Sequence, residues 1–272
     1  MCNVPVWARE SLPPCPFTTP SAIAGLDLRQ VRVTAPNETK TVALVLSTMR
    51  SGSTLLKALL AAAPDVSDLP ETDFQRYVDP RTHASLFALS PEPVLLLKRP
   101  GWFNEIGTYP RLPNLAGVKK IVLVRDVYAN VLSLRRMTFR HLPFLIRSGF
   151  GNRFFCERYW HGTYQRLRQL VLDDPENTVM LRYEDLLADP LAITARLFAF
   201  IGSAQTSGVD TYQKPADYHW QWGKDDGGDN IKSLQVQPPK PARYDDQRLY
   251  GVIKRSAAVR QLRLDLGYAD LP

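Results

Sequence analysis

Short apolar runs alternate with amphipathic segments along most of this chain. The runs are rich in leucine and β-branched residues, the composition of buried parallel strands, and they cover residues 41–47, 94–98, 120–124 and 178–183. Segments whose apolar residues recur at helical spacing lie between them. Strands that alternate with helices predict an α/β fold, with a mostly parallel central sheet flanked by helices.

The helices are predicted from apolar spacing and from residues that begin or end a helix. Leucines at 55, 56, 59 and 60 give the i, i+4 spacing of a helix face that begins near Thr54. Asp189 before Pro190 is a typical N-cap and first helical position, and Gly202 is expected to end that helix. Further helices are predicted at residues 79–89, 127–139, 153–172 and 255–266.

Two regions fall outside this alternation. Residues 1–40 are rich in proline and lack a clear period, so we expect an N-terminal extension, followed by one domain over residues 41–272. Residues 203–244 are polar and interrupted by glycine and proline. A loop of this length inside a domain is usually functional, so we expect a lid over substrate or cofactor.

Composition narrows the classes of ligand and location. At 272 residues and 44% hydrophobic the chain can bury a substantial core, and its net charge of +7 suits a small anionic ligand. No run of Lys and Arg marks a nucleic-acid arm, and the 3 cysteines lack metal-ligand spacing. No apolar stretch reaches the roughly 18 residues that can span a membrane, and no signal peptide is evident, so we expect a cytoplasmic protein.

The most informative stretch is the small-residue loop between the first strand and the first helix. The unpaired N–H groups and the dipole of a helix N-terminus attract anions, and Gly52 lets a phosphate approach the backbone closely. Arg50 adds a planar set of donors, while Ser53 and Thr54 add hydroxyl groups. The pattern predicts a phosphate-binding loop; the alternative is a serine-rich turn that caps a core helix.

The loop differs from the common nucleotide-binding sequence G-x-x-x-x-G-K-[ST]. Ser47 stands where that motif has its first glycine, and Ser53 stands where it has its lysine. An ATP-dependent kinase is therefore disfavoured. The acidic residues Asp225, Asp226 and Asp229 do not have the spacing of a calcium loop, so we interpret them as a surface turn.

Three motifs in a fixed order resemble the sulfotransferase family that uses 3′-phosphoadenosine 5′-phosphosulfate (PAPS). They are the loop from Arg50 to Leu56, Arg125 after a strand with Ser133 on the next helix, and the segment Tyr183 to Pro190. The terminal Leu266-Gly267-Tyr268 is similar to a common family ending. The resemblance extends from about residue 41 to the C-terminus and is closest to the branch with tyrosylprotein, carbohydrate and bacterial sulfotransferases. Val127 departs from it, since many members have proline after the Arg-Asp pair.

The resemblance implies a P-loop NTPase-like sulfotransferase fold and a role for each matched residue. Arg50 and Lys98 would stabilise charge during catalysis, and Glu71, in a Pro-Glu-Thr context, would accept the proton of the acceptor. The residues implied to bind the cofactor are Arg50, Ser51, Gly52, Ser53, Thr54, Arg125, Ser133, Tyr183, Ser233 and Lys240. We expect the acceptor to contact His219, Trp220 and Trp222 in the long loop.

The expected activity is transfer of the sulfuryl group of PAPS to a hydroxyl or amine of a small-molecule or carbohydrate acceptor. In-line displacement with a glutamate base is the expected mechanism, without a metal and without nucleic acid as partner. Two alternatives stay open: a P-loop-type ATP-dependent kinase, and a non-catalytic nucleotide-binding protein on the same fold.

Overall fold

The computed structural model describes residues 40–68, 90–110, 117–141, 151–213, 233–240 and 243–272. Within them, a 5-stranded sheet has the order β2-β3-β1-β4-β5, and every neighbouring pair of strands is parallel. The strands are β1 (Thr41–Thr48), β2 (Val66–Asp68), β3 (Val94–Gly101), β4 (Lys119–Val124) and β5 (Thr178–Arg182). The predicted α/β class with a parallel sheet is confirmed.

Helices cover both faces of the sheet. They are α1 (Ser53–Leu60), α2 (Val127–His141), a π-helix (Phe154–Trp160) that continues into α3 (His161–Asp173), α4 (Tyr183–Ala188), α5 (Pro190–Ile201), α6 (Gln247–Arg255) and α7 (Ala257–Asp265). In the described part of the chain, no helix is long and apolar enough to cross a membrane.

Alternate side chains of the strands build two cores. In β1, Leu44 and Leu46 join the core under α2, the π-helix, α3, α6 and α7, whereas Ala43 and Val45 join the core under α1, α4 and α5. Right-handed crossovers explain the division, because the chain leaves β1 toward β2 on one side and passes from β4 to β5 on the other. A sheet buried on both faces accounts for the nearly continuous apolar strands.

The strand register brings the functional loops to one edge of the sheet. Thr48 at the end of β1 is paired with Gly101 at the end of β3, and Val124 at the end of β4 is paired with Arg182 at the end of β5. Ligands of parallel α/β sheets bind at this edge, outside the carboxyl ends of the strands. The loops after β1, β3, β4 and β5 therefore lie next to one another.

The predicted helix ends around α5 are confirmed in detail. Asp189 Oδ1 accepts a hydrogen bond from Ala192 N (3.0 Å), Pro190 is the first helical residue, and Gly202 ends the helix with φ 75°. Such signals are local, so the sequence alone identifies them.

One predicted strand end differs from the structure, and one helix was not predicted. The second strand was expected to end at Lys98, but β3 continues to Gly101, so Lys98 lies inside the strand. The helix predicted at residues 255–266 is confirmed as α7 (Ala257–Asp265), but α6 before it was not predicted. The two helices are separate because Ser256 between them has extended backbone (φ −88°, ψ 99°). The helix predicted at residues 79–89 lies outside the described residues, as do nearly all of residues 1–40. The division into an extension, a domain and a lid stays a prediction.

Candidate functional site

The loop from Met49 to Gly52, between β1 and α1, is the centre of the site. Arg50 has φ 64° and Gly52 has φ 92°, so both adopt left-handed backbone conformations. Gly52 is the N-cap of α1 and offers no side chain to the N–H groups of the first turn. These groups lack partners within the helix, and the helix dipole makes their surroundings positive. The loop therefore has the backbone features of an anion site.

Gly52 is packed directly beneath the ring of Tyr183, the first residue of α4. A Cβ atom on Gly52 would lie 2.3 Å from Cε2 of that ring, a distance that real Cβ contacts do not show. The same ring also contacts Arg125, whose Cζ lies 4.8 Å from the centroid of the Tyr183 ring. Since the ring joins the two motifs, glycine is required here for space as well as for its conformation.

Arg125 connects the loop after β4 to the loop after β1. Its Nη1 donates to the carbonyl oxygen of Arg50 (2.8 Å), and its own carbonyl accepts from Trp160 Nε1 (2.9 Å). Arg125 Nε is buried and has no hydrogen-bond partner within the described residues. Arg50 Nε donates to Ser133 Oγ (3.1 Å), so the motifs predicted for the two phosphates lie at one site.

Lys98 reaches the same place from β3. Its side chain is buried, and Nζ donates to Thr54 Oγ1 (2.7 Å) in the first turn of α1. Arg50, Lys98 and Arg125 thus bring three cationic groups to one helix N-terminus. An arrangement of fixed cations and backbone N–H groups suits a phosphate or sulfate ester.

The serines of the loop differ in what they can offer a ligand. Ser51 is fully buried, and its Oγ is within hydrogen-bond distance of Thr48 Oγ1 (2.6 Å) and of the Tyr164 hydroxyl (2.7 Å). Ser51 would therefore reach a ligand through its backbone N–H. Ser53, the first residue of α1, is also buried.

The loop rests on buried residues that the sequence did not assign to the site. Tyr159 and Tyr164 come from the π-helix and α3, Tyr109 follows β3, and Asn130 comes from α2. The only sequence signal was a pair of aromatic residues, Trp160 and Tyr164, one turn apart on an amphipathic helix. A π-helical turn is uncommon and often marks a functional site.

Residues near the C-terminus stabilise the turn that contains Arg125 and Asp126. Asp126 Oδ2 accepts from Arg263 Nε (2.7 Å), and Asp126 N donates to Glu184 Oε1 (3.1 Å). Glu184 Oε2 accepts from the Tyr268 hydroxyl (2.7 Å). Burial raises the pKa of Glu184 above its ordinary value, although these hydrogen bonds oppose the shift. Tyr268 of the Leu266-Gly267-Tyr268 segment thus stabilises, through Glu184, the turn that contains Arg125.

Other predicted site residues are not brought to the loop by the described part of the chain. Glu71, His219, Trp220 and Trp222 lie outside the described residues, and so do the three acidic residues of the predicted surface turn. Ser233 is exposed and its hydroxyl donates to the carbonyl of Gln235 (2.9 Å); Lys240 is also exposed. The roles of these residues stay predictions.

A family comparison matches the middle of the chain. Residues 88–207 match the model of a family described as the sulfotransferase family. The match includes Lys98, Arg125, Ser133 and Tyr183 but neither the Arg50 loop nor Glu71. No curated protein matches the chain.

Solved structures of sulfotransferases are similar to this chain at low identity. The sulfotransferase domain from the curacin biosynthetic pathway is 19% identical, with 80% of this chain and 98% of that domain covered and a TM-score of 0.48. The corresponding domain of the Synechococcus PCC 7002 olefin synthase is 18% identical, with coverages of 88% and 99% and a TM-score of 0.47. A mouse sulfotransferase complexed with PAP is 13% identical, with coverages of 88% and 86% and a TM-score of 0.43.

The packing of Gly52 predicts a large cost for Gly52→Ala. The new Cβ meets the Tyr183 ring and also imposes left-handed strain, which for an L-residue costs roughly 1–2 kcal/mol. Gly202→Ala is the matched control, because Gly202 also has a positive φ (75°) but no atom within 4 Å of its Cβ position. Urea unfolding should show the greater loss for Gly52→Ala. Equal losses would mean that the Tyr183 ring does not rest on the loop.

The raised pKa of Glu184 predicts a pH-dependent effect of Glu184→Gln. A carboxyl group whose folded pKa exceeds its unfolded value is most favourable to folding at low pH, and this stability is lost as pH rises from the unfolded toward the folded pKa. The free energy of unfolding of wild type minus that of Glu184→Gln should therefore fall as pH rises above about 4.3. A difference that rises with pH would show that the hydrogen bonds outweigh burial and hold the carboxylate ionised.

Proposed function

We propose that this chain transfers the sulfuryl group of PAPS to a hydroxyl or amine of a small-molecule or carbohydrate acceptor, because residues 88–207 match the model of the sulfotransferase family. The observation that carries the proposal is the contact between Arg125 and the carbonyl of Arg50. It joins a family motif inside the matched segment to an anion-binding loop outside it.

The residues at the loop fit a nucleotide that carries charge at both ends. The 5′-phosphosulfate would be held by Arg50 and the N–H groups of residues 51–54, and the 3′-phosphate by Arg125 and Ser133. The buried Nε of Arg125 supports this assignment, since a buried donor without a partner is rare unless a ligand completes it. Tyr183, Ser233 and Lys240 are proposed to complete the cofactor site.

PAPS, when bound, supplies an activated sulfuryl group, and the protein's contribution is position and charge. Sulfuryl transfer is expected to pass, like phosphoryl transfer, through a loose transition state with charge on the leaving and peripheral oxygens. Lys98, fixed by its hydrogen bond to Thr54, is suited to donate to those oxygens, and Arg50 adds a second cation. Glu71 would accept the proton of the acceptor.

The acceptor site is proposed to include His219, Trp220 and Trp222. Trp102 is a further candidate, because it directly follows Gly101 at the carboxyl end of β3 and is 45% exposed. Indole rings stack on sugar and aromatic acceptors alike. A screen of such acceptors with labelled PAPS tests the proposal directly.

The choice of nucleotide should distinguish this function from a kinase. Adenosine 3′,5′-bisphosphate should raise the melting temperature, since a ligand at about 100 times its Kd stabilises the native state by roughly 2.7 kcal/mol. ATP lacks the 3′-phosphate and should give a much smaller shift, with or without Mg²⁺. A larger shift with Mg²⁺ and ATP would favour the kinase and overturn the assignment of Arg125.

Glu71→Gln should separate an enzyme from a binding protein. The amide keeps the shape of the side chain but cannot accept the proton, so transfer should slow by about 10²–10⁴-fold. Affinity for adenosine 3′,5′-bisphosphate should stay near that of wild type. The measurement is single-turnover transfer from saturating labelled PAPS. A rate within a few-fold of wild type would remove Glu71 from the mechanism.

A further inference from the structure

Buried tyrosine hydroxyls tie the loop to the strands on either side of β1. The Tyr159 hydroxyl accepts a hydrogen bond from Met49 N (2.7 Å) and donates to the carbonyl of Gly101 at the end of β3 (2.5 Å). The Tyr109 hydroxyl accepts from Ser47 N (3.1 Å) and donates to the carbonyl of Arg99. Each hydroxyl therefore bridges the paired ends of β1 and β3.

Tyr164 makes the equivalent connection to β4. Its hydroxyl lies 3.1 Å from the carbonyl oxygen of Leu123, 2.7 Å from Ser51 Oγ and 3.0 Å from Thr48 Oγ1. The chain of hydroxyls thus begins at the end of β4 and reaches the middle of the loop. Burial raises the pKa of all three tyrosines, so each keeps its proton and stays a donor as well as an acceptor.

Side chains also donate hydrogen bonds to two carbonyl groups of the loop. Asn130 Nδ2 donates to the carbonyl of Met49 (3.0 Å), and Arg125 Nη1 donates to the carbonyl of Arg50 (2.8 Å). In a trans peptide the C=O and the following N–H point in opposite directions. The N–H groups of Arg50 and Ser51 are therefore turned away from Asn130 and Arg125.

This support accounts for the backbone of Arg50. A residue other than glycine is strained at φ 64°, and such strain persists only where the surroundings fix the conformation. Phenylalanine at positions 109, 159 and 164 would fill the same core, yet it would remove a hydrogen-bond partner from the bridged N–H and C=O groups. Packing alone thus does not explain why these residues carry hydroxyl groups.

We propose that Tyr109, Tyr159, Tyr164 and Asn130 form a loop clamp, a set of positioning residues that aims the loop N–H groups at the 5′-phosphate of the nucleotide. The clamp rests on the proposed function for the identity of its ligand. It acts through the loop and touches neither the acceptor nor the 3′-phosphate. Loss of one hydroxyl should therefore affect recognition of the 5′-phosphate selectively.

Tyr159→Phe tests the clamp, with Tyr128→Phe as the matched control. The Tyr128 hydroxyl also accepts a hydrogen bond from a backbone N–H, that of Asp246 (2.6 Å), but it holds the start of α6. Amide hydrogen exchange should accelerate at residues 49–54 in Tyr159→Phe and not in Tyr128→Phe. If the Tyr159 variant does not fold, Tyr164→Phe takes its place. Unchanged exchange in the loop would overturn the clamp, whatever the ligand is.

Titration calorimetry then tests which phosphate the clamp serves. In Tyr159→Phe, adenosine 3′,5′-bisphosphate and adenosine 5′-phosphate should each bind about tenfold more weakly, the factor that one lost hydrogen bond corresponds to. Adenosine 3′-phosphate should bind as it does to wild type, and Tyr128→Phe should change none of the three. An equal loss for all three nucleotides would overturn the clamp's selectivity. If wild type binds none of them, the proposed function fails, and the exchange measurement alone decides the clamp.

Discussion

The hydrogen bond from Arg125 to the carbonyl of Arg50 is the contact on which the rest of the site depends. It joins the loops that follow two neighbouring parallel strands, β1 and β4, and the Tyr183 ring packs against both Arg125 and Gly52. Parallel register makes this contact available, because both strands end at the same edge. Its consequence is chemical: a helix N-terminus, two guanidinium groups and a buried lysine lie at one place.

A site formed by early loops is thereby supported by late segments of the chain. Arg182 at the end of β5 makes a bidentate ion pair with Asp185 (2.7 and 2.6 Å) and donates to the carbonyl of Gly267. Arg263 and Tyr268 meet Asp126 and Glu184 beside Arg125. Arg125, the cation proposed to bind the 3′-phosphate, is thus oriented by neighbours that are themselves held, which keeps its charge fixed and lowers the cost of ligand binding.

Local patterns predicted most of the described sheet and the loop, whereas long-range contacts were not accessible from sequence. The strands β1, β4 and β5 agree with prediction to within a residue at either end, because buried β-branched runs are distinctive. The break at Ser256 and the π-helical turn before α3 have no comparable local signal. Tyr159 and Met49 are 110 positions apart, so nothing near either residue reveals their hydrogen bond. The loop could be recognised, but its supports required the fold.

The central claim is that the loop of residues 49–54 and the Arg125 turn bind the two ends of one nucleotide. A crystal structure of the chain with adenosine 3′,5′-bisphosphate tests this most directly. The 5′-phosphate should lie about 3 Å from the backbone N–H groups of residues 51–54, and the 3′-phosphate at the same distance from Arg125 and Ser133. A nucleotide bound at another edge of the sheet, or with its 3′-phosphate away from Arg125, would contradict the account.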